Sequence, residues 1–175
     1  EGMEWVLNRE LNPNVGPKGG FVCDEMGLGK TILMLGAIVA DIQRGVANAK
    51  NLIVLPFALL EQWRGAIKKF LHHEALVYHG YGKKNIDLDD LNMASIVLTT
   101  YGMVSTRKDE KYTSLLWKVN WHRIVYDEAH HMRNCKSRTH QGALRLNADI
   151  KWLVTGTPIN NGENDFWNLC SIIGL

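Results

Sequence analysis

The chain has 175 residues, 46% of them hydrophobic, and a formal net charge of +2. That length supports one domain with a real core, and so small a charge is no argument by itself for a polyanion partner. Cys23, Cys135 and Cys170 are odd in number and widely spaced, so no disulfide framework or zinc spacing emerges and a reducing compartment is expected. There is no signal peptide and no apolar run of transmembrane length, so nothing points to a membrane.

In chain order, residues 1–11 read as a helix with Trp5 on its buried side. Residue 1 falls inside an amphipathic segment and Leu175 directly follows an apolar helix, so the chain reads as a piece of something larger. Residues 12–20 hold two prolines and three glycines and read as a loop. Phe21, Val22 and Cys23 form a short apolar run of the kind that makes a buried strand, with Cys23 a small core residue. Asp24, Glu25, Met26, Gly27, Leu28 and Gly29 make a loop, and Lys30-Thr31 open an apolar helix that ends near Gly45.

Further strands are expected at 51–55, 75–78, 95–100, 123–126 and 151–154. Helices are expected at 58–70, 86–91, 113–119, 137–146 and 164–173, with Ser137 as a cap. Strands alternating with helices imply a mostly parallel sheet covered on both faces, an α/β fold. Ligands of such sheets sit outside the carboxyl ends of the strands.

Three polar clusters fall at those ends. The first, residues 24–31, has the parts of a phosphate cradle: a strand, a Gly-containing loop and a helix N-terminus. Bare backbone N–H groups and the helix dipole face an anion, lysine reaches the β/γ-phosphates, and the threonine hydroxyl takes magnesium. Asp24 stands where the pattern G-x-x-x-x-G-K-[ST] has its first glycine, so a Gly-rich turn with an exposed lysine is the plainer alternative. The second is Asp127-Glu128. ATP hydrolysis needs a carboxylate near magnesium, which suits Asp127, and a group to position and deprotonate the attacking water, which suits Glu128. An acidic helix cap is the plainer reading of that pair. The third, Thr155-Gly156-Thr157-Pro158, is either a simple turn or a sensor whose hydroxyls bond the acidic pair.

Together these segments resemble the first RecA-like lobe of the SWI/SNF-type ATPases of helicase superfamily two, a P-loop NTPase fold. Residues 24–31 match that family's motif I, and Asp24 is normal there. Pro56, Leu59, Gln62 and Trp63 look like motif Ia, and residues 97–101 like motif Ib. Asp127-Glu128-Ala129-His130 match motif II, and residues 153–159 match motif III. The opening residues, with Arg9-Glu10, are similar to the subgroup of the helicase-like transcription factor and transcription termination ATPases. Asn160 departs from the family's usual glutamine, and Tyr126 from its usual aliphatic residue.

The resemblance implies an ATP- and Mg2+-dependent motor, truncated here to its ATP-binding lobe, that tracks along double-stranded DNA without separating the strands. A non-catalytic nucleotide-binding module and a strand-separating helicase are the alternatives. It further implies that Lys30 and Glu128 are catalytic, that residues 24–31 hold the nucleotide, and that Thr31 and Asp127 hold magnesium. His130, Thr155, Gly156 and Thr157 would couple the site to the second lobe. Gln62, Trp63, Thr99, Thr100 and Tyr101 would face the DNA backbone, although at helical spacing a tryptophan such as Trp63 is more often a core residue. Arg133, Lys136 and Arg138 are candidates for DNA or second-lobe contacts. Partners would be duplex DNA and the second lobe, with nucleosomes or transcription and repair proteins beyond them. The location would be the nucleus, or a cytoplasmic viral factory for a viral source. Finally, the strand ending at Thr155 should lie between those ending at Cys23 and Tyr126.

Overall fold

The computed structural model describes residues 1–12, 14, 16–23, 29–109, 113–159 and 162–175. Helix α1 (Gly2–Leu11) precedes β1 (Gly19–Val22), α2 (Lys30–Gln43), β2 (Asn51–Leu55) and α3 (Leu60–Leu71). Then come β3 (Leu76–Tyr78), α4 (Leu88–Met93), β4 (Ile96–Thr100) and α5 (Tyr101–Val104). Strand β5 (Asn120–Asp127), α6 (Arg138–Leu144), β6 (Asn147–Val154) and α7 (Glu163–Ile172) complete the order.

The six strands form one sheet in the order β1-β6-β5-β2-β4-β3, and every pairing is parallel. The strand that leads into Thr155 therefore lies between β1 and β5, as the sequence reading requires. A parallel sheet is covered on both faces, so its strands are apolar almost throughout. All five residues of β2 are buried. Their side chains alternate: Ile53 and Leu55 join Leu98, Val125, Trp152 and Val154 beneath α1, α2 and α3. Leu52 and Val54 join Val97, Ile124, Tyr126 and Leu153 on the other face, against residues of α5, α6 and α7.

Local signals set the helix ends. The Asp87 carboxylate accepts from the Asp90 N–H and the Asp90 carboxylate from the Asp87 N–H, both at 2.9 Å, a reciprocal cap at the start of α4. Ser137 caps α6 by accepting from the His140 N–H at 3.1 Å. Gly142 lets α6 lie directly on α5: a Cβ there would sit 2.0 Å from the Val104 carbonyl oxygen. Gly142→Ala is therefore expected to destabilise the fold by about 1–3 kcal/mol through overpacking, read as a lower midpoint in urea.

Two expectations need correction. Trp5 is 45% exposed and lies against the Trp152 ring, with centroids 5.4 Å apart, while Val6 and Glu10 form the buried side of α1. Cys23 is exposed, because β1 ends at Val22 and the chain has already left the core.

The α1–α2 face also holds a buried ion network. Arg123 on β5 is fully buried. Its Nε and Nη2 donate to the two Glu10 carboxylate oxygens at 2.7 and 2.6 Å, and its Nη1 donates to Asn51 Oδ1 at 2.8 Å. Nη2 also lies 2.7 Å from Asp41 Oδ2 on α2. The Trp152 indole N–H donates to Glu10 at 2.8 Å. Asp41 also pairs with Arg44, so two guanidiniums balance two carboxylates, and α1 and α2 are thereby fixed to the centre of the sheet.

Candidate nucleotide site

Of the phosphate loop, Asp24, Glu25, Met26, Gly27 and Leu28 lie outside the described residues; Gly29, Lys30 and Thr31 lie within them. Gly29 has φ 78°, the left-handed region that favours glycine, and it turns the chain into α2. Lys30 and Thr31 form the first turn of this 14-residue helix, where free backbone N–H groups and the helix dipole favour an anion.

Strand β5 delivers Asp127 and Glu128 to the same place. A cleft of about 430 Å³ is lined by Gly29, Lys30, Thr31, Gln62, Asp127 and Glu128 among others. A second cavity, of about 270 Å³, opens at the opposite end of the strands beside Lys50, Asn51 and Ser95, away from these groups.

Asp127 is almost buried and firmly held. Its Oδ2 accepts the Trp63 indole N–H at 2.7 Å, and its Oδ1 accepts the Glu128 backbone N–H at 3.0 Å. Its carbonyl oxygen accepts the Tyr101 hydroxyl at 2.6 Å. Burial pushes the Asp127 carboxyl above the usual range, opposed by the Trp63 hydrogen bond; the Glu128 charge also raises it and Lys30 lowers it.

Glu128 has φ 53° and ψ 49°, a left-handed backbone that a non-glycine residue adopts at a cost of about 1–3 kcal/mol. The turn is held by the Tyr101 bond before it and by the His131 N–H donating to the Glu128 carbonyl at 3.1 Å after it. This turn, which no residue-type pattern announces, brings two successive carboxylates to one cleft.

His130 connects this turn to the third cluster. Its Nδ1 is 3.1 Å from Glu128 Oε2 and 3.3 Å from Thr155 Oγ1. Burial and then the neighbouring His131 lower the His130 pKa, opposed by the Glu128 charge. Thr155 is fully buried; its N–H donates to the Val22 carbonyl at 3.1 Å, and its Oγ1 accepts from the Thr157 N–H at 3.2 Å. The threonine hydroxyl thus meets His130, and Gly156 and Thr157 stand exposed beyond it. Arg133 reaches across to the Thr157 carbonyl and, at 2.9 Å, to its hydroxyl.

The five residues expected at DNA divide differently. Gln62 is exposed and lines the cleft. Trp63, Thr99, Thr100 and Tyr101 are buried, and their polar atoms are engaged inside the lobe. Besides the bonds to Asp127, the Thr99 hydroxyl donates to the Tyr78 carbonyl at 2.8 Å, and Thr100 Oγ1 lies 3.0 Å from His79 Nδ1. The exposed aromatic and basic groups near those strand ends are Phe57, Tyr81 and Lys84.

A cradle at a helix start, an acidic pair at a neighbouring strand end and a hydroxyl-bearing turn between them define a nucleotide-binding lobe of RecA-like architecture. All 175 residues match the family model described as the SNF2-related domain, and the chain belongs to that family of helicase-like, ATP-binding ATPases. It is 37% identical over 177 residues to the "Probable global transactivator" of Orgyia pseudotsugata multicapsid polyhedrosis virus, covering 98% of this chain and 33% of that protein. It is 32% identical to the Schizosaccharomyces pombe DNA repair protein rad8, covering 91% of this chain and 16% of that protein. The SWI2/SNF2 ATPase core of Sulfolobus solfataricus in complex with double-stranded DNA superposes with a TM-score of 0.79 at 27% identity. That match covers 99% of this chain and 34% of that one. The chain thus spans about a third or less of each of these proteins.

Proposed function

We propose that the chain is the first ATP-hydrolysing lobe of a two-lobed SNF2-type motor that tracks along double-stranded DNA. The carrying observation is the shared cleft of Gly29–Thr31 with Asp127 and Glu128. In this reading Lys30 and the start of α2, with the loop before it, hold the nucleotide phosphates. The Thr31 hydroxyl and the Asp127 carboxylate are hard oxygen donors of the kind magnesium prefers. Both Asp127 oxygens keep a lone-pair direction beyond the one bond each accepts, so the residues fit the ion. Bound there, magnesium would neutralise phosphate charge. Glu128 holds the attacking water and takes its proton, and His130 ties Glu128 to Thr155, the start of the turn that faces the second lobe. Gln62, Phe57, Tyr81, Lys84 and the backbone around Tyr101 meet the DNA, and Arg133 holds the turn at Thr157. The coarse location that goes with such a motor is the nucleus, or a viral factory for a viral source.

ATP turnover by the complete two-lobed protein, with and without duplex DNA, tests this reading. DNA-stimulated hydrolysis supports it, absence of hydrolysis favours a nucleotide-binding module, and duplex unwinding favours a helicase. DNA affinity gives a second check. Contacts with the phosphate backbone carry no sequence information, and their strength falls with salt. Binding of this lobe to unrelated duplexes should be weak, steeply salt-dependent, and equal within about tenfold, or roughly 1.4 kcal/mol. A stronger preference for one sequence would count against it.

A further inference from the structure

Trp63 occupies a position that a phenylalanine could fill if packing were its only task. Its side chain is 1% exposed, on the face of α3 that also buries Leu60 and Ile67. The indole N–H leaves that apolar surface at one point only, to reach Asp127 Oδ2 at 2.7 Å. Unpaired in such a place, the N–H would carry the full penalty of its lost hydration, so ring and carboxylate each need the other. The partner is also neutral. A lysine or arginine would orient the carboxylate but cancel the charge a cation binds; an indole fixes the orientation and leaves the charge in place. Asp127 is gripped from both sides of the sheet, because Trp63 packs in the core beneath α3 while Tyr101, which holds the Asp127 carbonyl, packs in the opposite core.

We infer that Trp63 is a positioning residue for the metal site: it holds the Asp127 carboxylate in the one rotamer that presents Oδ1 and the free side of Oδ2 to the cleft. The inference rests on the assignment of Asp127 as a magnesium carboxylate. It also gives motif Ia a task inside the lobe. Gln62, the preceding residue on α3, is exposed in the cleft, so any contact that tilts α3 moves the Asp127 clamp with it.

The test uses the full-length protein and a fluorescent ATP analogue whose affinity is measured in EDTA and across a Mg2+ series, with Mn2+ as a second ion. Two variants remove only the donor: Trp63→Phe, and replacement of Trp63 by benzothienylalanine, which keeps the bicyclic shape and lacks the N–H. Partners that orient metal ligands are typically worth about 10–100-fold in metal affinity. The expected result is a metal midpoint at least about tenfold higher in both variants, with the affinity in EDTA unchanged. A purely structural role would instead lower the melting temperature and the EDTA affinity of Trp63→Phe, and leave the metal midpoint and the benzothienylalanine variant as in the parent. That result overturns the inference. A parent protein whose nucleotide affinity ignores both ions would instead remove the metal assignment itself, and the inference with it.

Discussion

Replacing Glu128 by glutamine in the complete two-lobed protein should leave ATP binding near normal and cut hydrolysis by at least about 10²-fold, the usual contribution of a general base. Glutamine keeps the length and the hydrogen-bonding shape of the side chain but cannot accept a proton from water. The turn that holds residue 128 is set by the backbone bonds of Tyr101 and His131, so the substitution leaves its geometry intact. Lys30→Ala should behave differently: it removes a ground-state phosphate contact and should lose nucleotide affinity together with rate. Nucleotide affinity and single-turnover hydrolysis of both variants decide the matter. Hydrolysis by Glu128→Gln at the parental rate would remove Glu128 from the role of base. The isolated lobe should turn over little ATP even with Glu128 intact. A charge-compensating arginine contributes about 10³–10⁵ in such reactions, and in this reading it belongs to the other lobe.

The largest stability effect is expected at Arg123. Arg123→Met strips the buried Glu10 carboxylate of its cation and leaves Asp41 with Arg44 and His122 alone. Removing one partner of a buried ion pair costs about 3–5 kcal/mol, a large part of the roughly 5–15 kcal/mol that holds a domain together. Urea denaturation should show a much lower midpoint, or no folded baseline at all. Glu10→Gln should cost less, since an amide oxygen still accepts from the Arg123 guanidinium and the Trp152 indole. A midpoint for Arg123→Met within 1 kcal/mol of the parent, on the order of an exposed ion pair, would mean that water reaches this network.

Strand β2 was legible to the residue because all five of its side chains are apolar or pair inside the sheet. Strands β5 and β6 begin earlier than their hydrophobic runs suggest. Asn120 faces Asn147 across the parallel ladder, their amides bonded at 2.8 Å, so polar residues extend these strands ahead of the runs expected at 123–126 and 151–154. The short α5 was missed because residues 101–104 continue the apolar run of β4. The carboxyl-end placement of Lys30, Asp127 and Thr155 followed from alternating strands and helices. The fate of Trp63 did not. Helical spacing allows a core tryptophan or a DNA-facing one, and only three-dimensional packing shows a core residue whose one polar atom reaches the acidic pair. The Arg123 network was hidden for a similar reason. Glu10 and Asp41 look like ordinary polar positions of amphipathic helices until the strand between them supplies the cation.

The strand order also constrains how the protein is born. Strand β1 has a single neighbour, β6, and β6 is the last of the six strands of this sheet to leave the ribosome. Until then the nascent chain can assemble β5, β2, β4 and β3 as a partial sheet, while β1 and the turn into α2 wait without a ladder. Closing that gap joins β1 to a strand far along the sequence, the kind of contact that slows folding. The segment leading into α2 and the acidic pair after β5 are therefore brought to one cleft only once β6 has been made and has taken its place between β1 and β5.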